Sequence, residues 1–479
     1  MSDKELGRAR ALIQGYRDDI AHDTSEFLKI PSVRPDEPVD GDPLGPDIAR
    51  ALDYIGELAD KFGFTYRNLD GQAAVVEVGQ GDETLGVLLH VDVVPAGDGW
   101  EHEPFGGEIV DGELWGRGAM DDKGPAISVL YALKALQDSG VTLNKRVKVI
   151  FGTNEESGGW TGIAHYLEKE GAPDMSIVPD ADFPIINGEK GFKDLHLTSS
   201  HSGGAKGAYD LTSLEGGLRS NMVPDSASAV LHVNGNPADA YKELYAAAEQ
   251  FNAANPDAAL TVAPTGDHEI TVSAAGRSAH GSTPAAGHNA IVDVASYIGG
   301  IDASDGAATE IVRFINDRIG CETNGGSLGI AAHHDFLGDT TANLGVVYAT
   351  QDEARATINI RFPYGITQEE LSERVTQAAN GYDLAVIPSE HGLDPLYVDP
   401  SDPLVVSLQK AYTDVTGQQA TLHAIGGTTY AKAMPRAVSF GPTMPGEPEM
   451  AHQPNERVTV DSLVRNAEIY AAAIYEICG

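Results

Sequence analysis

The feature that most constrains this chain is a recurring unit, a short apolar run that ends in acids or a histidine. Val87-Leu88-Leu89-His90-Val91-Asp92 is the first of these units. Arg146–Phe151 leads into Gly152-Thr153-Asn154-Glu155-Glu156, and Ser176-Ile177-Val178-Pro179 leads into Asp180-Ala181-Asp182. Apolar runs without polar alternation suit strands buried on both faces. Between them lie helical stretches, one opened near Pro125 and closed at Gly140, another over about 161–170. This alternation predicts an α/β fold: a mostly parallel mixed sheet with helices on both faces. Such sheets hold ligands at the carboxyl ends of their strands, where these acids fall.

Each cluster has a plain reading and a chemical one. In extended backbone His90 and Asp92 point to the same side. They can be ordinary surface polarity, or a ligating imidazole with a carboxylate that fixes its tautomer. Asp121-Asp122 follows Gly116-Arg117-Gly118-Ala119-Met120 and precedes a helix, so it can cap that helix or build a charged site. Glu155-Glu156 is unremarkable if exposed, but a buried pair needs cations because adjacent carboxylates repel. Counting Asp121-Asp122, four such clusters stand at predicted strand ends.

Composition narrows the choices. Against 71 acidic residues stand 32 basic ones, a formal net charge of -39. This excludes nucleic acid and anionic membrane as partners, since both would repel the chain. Cys321 and Cys478 make neither a disulfide framework nor a thiolate zinc motif, so a metal would have to use imidazole and carboxylate ligands. With no apolar signal-peptide core and no membrane-length segment, a cytoplasmic protein is expected.

Along the chain, a helix is predicted over about Glu5–Lys29, then a Pro- and Asp-rich loop to about Gly45, a helix to Phe62, and short strands at Phe64–Arg67 and Ala73–Val78. Asp111-Gly112 reads as a hairpin turn. After Gly188-Glu189-Lys190-Gly191 the strands lengthen and alternate, as in Ala227–Val233, Leu260–Pro264, His268–Ser273 and Ala356–Phe362. Helices fall near Ala238–Ala253 and Asn289–Gly299. The predicted organisation is a catalytic domain over 1–190, an inserted α+β lid and substrate-binding domain over 191–389, and the rest of the catalytic domain over 390–479. That last part carries a helix near Pro403–Val415, the glycine-rich loop His423–Tyr430 and a closing helix over about Val460–Ile477.

Five pieces then carry a resemblance. They are His90-Val91-Asp92-Val93-Val94-Pro95, Gly116-Arg117-Gly118-Ala119-Met120-Asp121-Asp122-Lys123-Gly124, Asn154-Glu155-Glu156-Ser157-Gly158, Pro179-Asp180-Ala181 and Met450-Ala451-His452-Gln453. In this order the chain resembles the PepV-like, carnosinase-type branch of the dinuclear zinc peptidases, which also include aminoacylases and desuccinylases. Asp182–Gly191 and the long insert point to that branch.

The resemblance implies one metal on His90, Asp180 and a shared Asp121, and a second on Glu156, His452 and the same Asp121. It implies that Asp92 orients His90, that Glu155 is the general base, and that Asp121-Asp122 is joined by a cis peptide. His280 would stabilise the oxyanion, Arg361 would hold the substrate carboxylate, and Asn221 would add a polar contact. Gly426, Gly427 and Thr428 would line the carboxylate end. Thr428 stands where the family usually has a third glycine, which puts substrate size at issue.

The charges agree with this scheme: two divalent cations bring +4, three ligand carboxylates bring -3, and a bridging hydroxide completes neutrality. Zinc fits such ligands first, with manganese or cobalt as alternatives. The expected activity is hydrolysis of unblocked dipeptides, by a monomer whose only partner is the small peptide. The rivals are an N-acyl-amino-acid hydrolase (desuccinylase or aminoacylase) on the same site and a non-catalytic binding protein on the same scaffold. Retention of Glu155 with every ligand speaks against the last.

Overall fold

The structure, a computed structural model, describes residues 3–35, 38–39, 44–201 and 203–479. Part of the loop expected before Gly45 therefore lies outside the described residues. The chain divides into two units, one comprising 1–188, 396–424 and 428–479, the other 189–395 and 425–427.

In the first unit the sheet order runs 65–69, 73–79, 146–152, 84–90, 175–178, 437–439, 185–189, 396–397. Its four central strands, Arg146–Gly152, Thr84–His90, Met175–Val178 and Ala437–Ser439, are parallel to their neighbours in that group. Thr65–Leu69, Ala73–Gly79 and Ile185–Glu189 join antiparallel at the flanks.

Period-two alternation sorts the apolar side chains into two layers. Ala74, Val76, Leu85, Val87, Leu89, Val147, Val149, Phe151 and Ile177 pack under the helices Pro46–Phe62, Lys123–Ser139 and Val460–Cys478. Ala73, Val75, Leu88, Ile150 and Val178 instead face Ile163 and Tyr166 of the helix Thr161–Glu170, with Tyr430 and Met434. His90 shares the parity of Leu88 and Gly152 that of Ile150, so both end on the thinner layer's side. Tyr430 closes over that end, and a Cβ on Gly152 would meet its hydroxyl.

Asp111 and Gly112 both take positive φ in the hairpin between Glu108–Val110 and Glu113–Trp115, as the sequence predicted. The amino-terminal helix is in fact two, Asp3–Gly15 and Arg17–Leu28, interrupted at Tyr16 just after Gly15. Among the described residues no helix is long and apolar enough to cross a membrane.

The second unit is an antiparallel sheet in the order 259–264, 269–275, 226–233, 209–216, 341–350, 354–362, 191–199, 385–393. One face packs on the helices Pro237–Ala254, Ala290–Ile298, Ala307–Phe314 and Gln368–Ala378. The main segment of this unit runs to Pro395, beyond the expected 389, because Ala385–Leu393 pairs with Gly191–Ser199. That strand is an edge, which is where a sheet tolerates Pro388.

Candidate metal centre

His90 ends the strand Thr84–His90 and is 1% exposed. Its Nδ1 lies 2.8 Å from the main-chain carbonyl of Asp92. A carbonyl only accepts, so Nδ1 carries the proton and Nε2 is the atom presented to the centre. Nε2 lies 2.8 Å from Asp121 Oδ1 and 4.0 Å from Asp180 Oδ2. The other oxygen of Asp121 faces His452, with Nε2 3.0 Å from Oδ2, and the same nitrogen lies 2.9 Å from Glu156 Oε2. The five predicted ligands thus converge in one unit, with Asp121 turned toward both imidazoles.

Two neighbouring aspartates make further contacts around this centre. The Asp92 carboxylate lies 3.6 Å from His90 Nδ1, farther than its own carbonyl. Instead it accepts the main-chain N–H groups of Glu155 and Glu156, each at 3.1 Å, and so fixes the backbone that carries both glutamates. Asp122 precedes the helix Lys123–Ser139 but does not cap it with its side chain; Oδ2 accepts the N–H of His90 at 3.2 Å. The Asp121–Asp122 peptide is cis. This pair also stands six residues beyond the nearest strand, Glu113–Trp115, so three of the four clusters are true strand ends.

The electrostatics follow from crowded carboxylates in a dry place. Burial pushes Glu155 up to about 8, helped by Glu156 and Asp121 against the pull of His90. Burial also raises Glu156 and holds Asp180 well above the usual carboxylate range, with Asp121 adding to both. For His90 burial works downward, but the hydrogen bond to Asp121 and the nearby Asp92 carboxylate outweigh it and hold the imidazole well above its ordinary value. Hydrogen bonds to Asp121 and then Glu156 lift His452 to about 10. Burial opposes ionisation of Asp121, yet its two histidine partners keep it below the usual range.

These donors fit divalent cations. Ligand atoms of His90, Asp121 and Glu156, and of His90, Glu155 and Asp180, lie within 4.8 Å of one another in each trio. Glu156 Oε1 is buried with no hydrogen-bond partner, as a ligand oxygen would be. With imidazole and carboxylate donors and no thiolate, the set suits zinc, manganese or cobalt.

Cation uptake must displace protons, because His452 at about 10 is protonated at neutral pH and ligates only when neutral. Affinity should therefore weaken as pH falls and strengthen as pH rises toward that value. Calorimetry at pH 7 in buffers of different ionisation enthalpy should show net proton release, and pH-independent uptake without release would contradict the assignment.

In the second unit the remaining predicted residues gather separately. Arg361 is 7% exposed; its Nε donates to Asn359 Oδ1 at 3.2 Å and its Nη1 to the carbonyl of Gly426 at 3.2 Å. Burial lowers this guanidinium to about 10. His280 pairs through Nδ1 with Ser282 Oγ at 2.6 Å, and burial together with Arg361 lowers its pKa. Asn221 is tied to this loop by the N–H of Gly281 donating to its carbonyl at 2.7 Å. A Cβ on Gly426 would stand 2.6 Å from that of Ser282, so glycine is required there, whereas Gly427 has ordinary room. Thr428 belongs to the first unit.

Sequence reading missed Glu456, Arg117 and Tyr430. Glu456 and Arg117 lay inside or beside quoted pieces, and their opposite charges in two ligand-bearing loops were the available signal.

The fold and this carboxylate–imidazole cluster define a class, the metal-dependent hydrolases built on a mixed α/β sheet. The description "Peptidase family M20/M25/M40" matches residues 86–476, and the chain belongs to that family; it is a metallopeptidase. A Bacillus subtilis protein, YtjP, which carries a provisional dipeptidase name, is 38% identical over 467 residues, covering 96% of this chain and 97% of its own. A provisionally named dipeptidase of Staphylococcus haemolyticus is 37% identical, covering 97% and 98%. Human carnosine dipeptidase 1 shares the fold with TM-score 0.57 at 15% identity, covering 98% of each chain. The dipeptidase Dug1p of Saccharomyces cerevisiae does so with TM-score 0.57 at 16% identity, again with 98% of each chain covered.

Proposed function

We propose that the protein is a dipeptidase that hydrolyses unblocked dipeptides with two divalent cations, zinc first and manganese or cobalt as alternatives. The observation that carries this reading is Asp121, whose two oxygens lie 2.8 and 3.0 Å from the Nε2 atoms of different histidines. His90 and Asp180 would hold one cation with Asp121, and Glu156 and His452 the other. When bound, the cations would polarise the scissile carbonyl and acidify water.

Glu155 takes the proton of the attacking water and returns it to the leaving amine. Burial raises Glu155 to about 8, and the charge of bound cations would lower it again, leaving a carboxylate that can accept that proton near neutral pH. Asp92, by accepting both glutamate amides, sets where the Glu155 side chain starts. His280 is assigned to the oxyanion, Arg361 to the substrate's free carboxylate, and Asn221 to a polar contact with the substrate. A guanidinium that is nearly buried binds a carboxylate strongly. Gly426, Gly427 and Thr428 are assigned to the carboxylate end. The dipeptidase names of relatives at 38% and 37% identity support the substrate class.

The test is a panel of unblocked dipeptides beside N-acylated amino acids, assayed after chelation and add-back of zinc, manganese or cobalt. Turnover of the dipeptides, abolished by the chelator, is expected. Turnover confined to the acylated set would make the protein an N-acyl-amino-acid hydrolase instead.

A further inference from the structure

We propose that Glu456 and Arg117 are positioning residues that brace the loops carrying Asp121 and His452, and so set cation affinity from outside the ligand set. The inference rests on the metallopeptidase reading above. Glu456 is 0% exposed and Arg117 2%. Glu456 Oε1 accepts three main-chain N–H groups, from Gly118 at 3.1 Å, Met120 at 2.9 Å and Asp121 itself at 3.2 Å. Its other oxygen accepts Arg117 Nη1 at 2.6 Å. Arg117 in turn donates to the carbonyls of Gln453 at 3.3 Å, Pro95 at 3.4 Å and Ala96 at 3.3 Å.

One ion pair therefore ties together three segments: the stretch after His90, the loop that ends in Asp121, and the loop after His452. None of the three amides at Oε1 belongs to a helix or strand, so this carboxylate does for the loop what a ladder does elsewhere. A charged acceptor makes each of those bonds stronger than a neutral one would. His452 adds a second reason. Its φ of 62° lies in the left-handed region, which is strained for a non-glycine residue and persists only where the surroundings over-determine it. The bond from Arg117 to the carbonyl of Gln453 fixes the residue immediately after it.

Glu456→Gln leaves one acceptor oxygen but turns an amide NH₂ toward Arg117, stranding a buried guanidinium. That can prevent folding, so the double variant Arg117→Met/Glu456→Gln, which removes both charges, is made beside it. Tyr131→Phe serves as a control: it deletes a buried hydrogen bond to Asp23 (2.6 Å) without touching a ligand loop.

Each full-length protein is stripped with chelator, its melting temperature taken, and then titrated with zinc chloride or manganese chloride by calorimetry. The Glu456 variants are expected to bind about 10- to 100-fold more weakly than wild type, and the control with unchanged affinity. A folded Glu456 variant whose melting temperature falls while its cation affinity stays at the wild-type value would overturn the brace and leave only a structural pair. If wild type itself takes up no cation, the metallopeptidase reading fails first; uptake by wild type with unaltered variants sinks the brace alone.

Discussion

Glu155→Ala should cut turnover of a dipeptide by about 100- to 10,000-fold, the range supplied by a positioned base, while the chain keeps both cations. The retention of metal is the sharper half of this expectation. Ligand atoms of Glu155, His90 and Asp180 lie within 4.8 Å of one another, so proximity alone would allow Glu155 to be a ligand. What separates the roles is the pairing: Asp121 already serves His90 and His452 with its two oxygens, and Glu156 meets His452 at 2.9 Å. Removing the Glu155 side chain leaves those contacts intact. Its main-chain N–H also still donates to Asp92, so the neighbouring Glu156 keeps its place. Elemental analysis of the purified variant decides the question, since loss of a cation together with activity would make Glu155 a ligand and not a base.

Stability gives an independent reading of the same residue. Burial raises Glu155 to about 8 in the folded chain, above its ordinary value of 4.5. Between those pH values the folded form holds a proton that the unfolded form has lost, so the wild-type residue costs stability increasingly as pH rises. In chelator, the Ala variant should therefore melt higher than wild type near pH 8 and differ least near pH 4.5. A lower melting point at pH 8 would mean that the Glu155 side chain makes favourable contacts that outweigh its burial.

The parts legible in the sequence share one physical property: they repeat locally. Val87–His90, Arg146–Gly152 and Met175–Val178 are apolar because both faces of a parallel strand are covered, and their acids follow because loops at that end face the ligand. Helix ends were readable where glycine takes a left-handed cap, as Gly63 and Gly140 do. The break at Tyr16 was not, since Gly15 alone does not end a helix.

Long-range pairings were the other blind spot. Glu456 and Arg117 stand 339 residues apart, and no spacing rule connects them. Pro388 and Gly392 in the strand Ala385–Leu393 hid a sheet edge, which moved the domain boundary to 395. Asp92 was recognised as a supporting residue, but which groups its carboxylate reaches depends on how the strand Arg146–Gly152 lies beside Thr84–His90.

Asp121→Ala should release both cations and reduce dipeptide turnover to background, a loss in affinity beyond the roughly 100-fold typical of outlying supports. Glu156→Ala and Asp180→Ala should each release only one. The difference follows from geometry, because Asp121 Oδ1 lies 2.8 Å from His90 Nε2 and Oδ2 lies 3.0 Å from His452 Nε2, whereas the histidine paired with Glu156 is His452, at 2.9 Å, and the one beside Asp180 is His90, at 4.0 Å. Its two histidine partners also hold the Asp121 carboxyl below the usual range, so this oxygen donor is already ionised when a cation arrives.

Counting cations per chain after gel filtration in wild type and the three variants separates a shared ligand from independent ones. If Asp121→Ala retains one cation at wild-type affinity, the two sites do not share this carboxylate. The catalytic scheme would then need His90 and His452 to act at separate, unlinked centres. Asp121→Asn refines the result: its single remaining oxygen can serve one histidine's side only, so partial retention of one cation, and not of two, is the outcome that a bridging carboxylate requires.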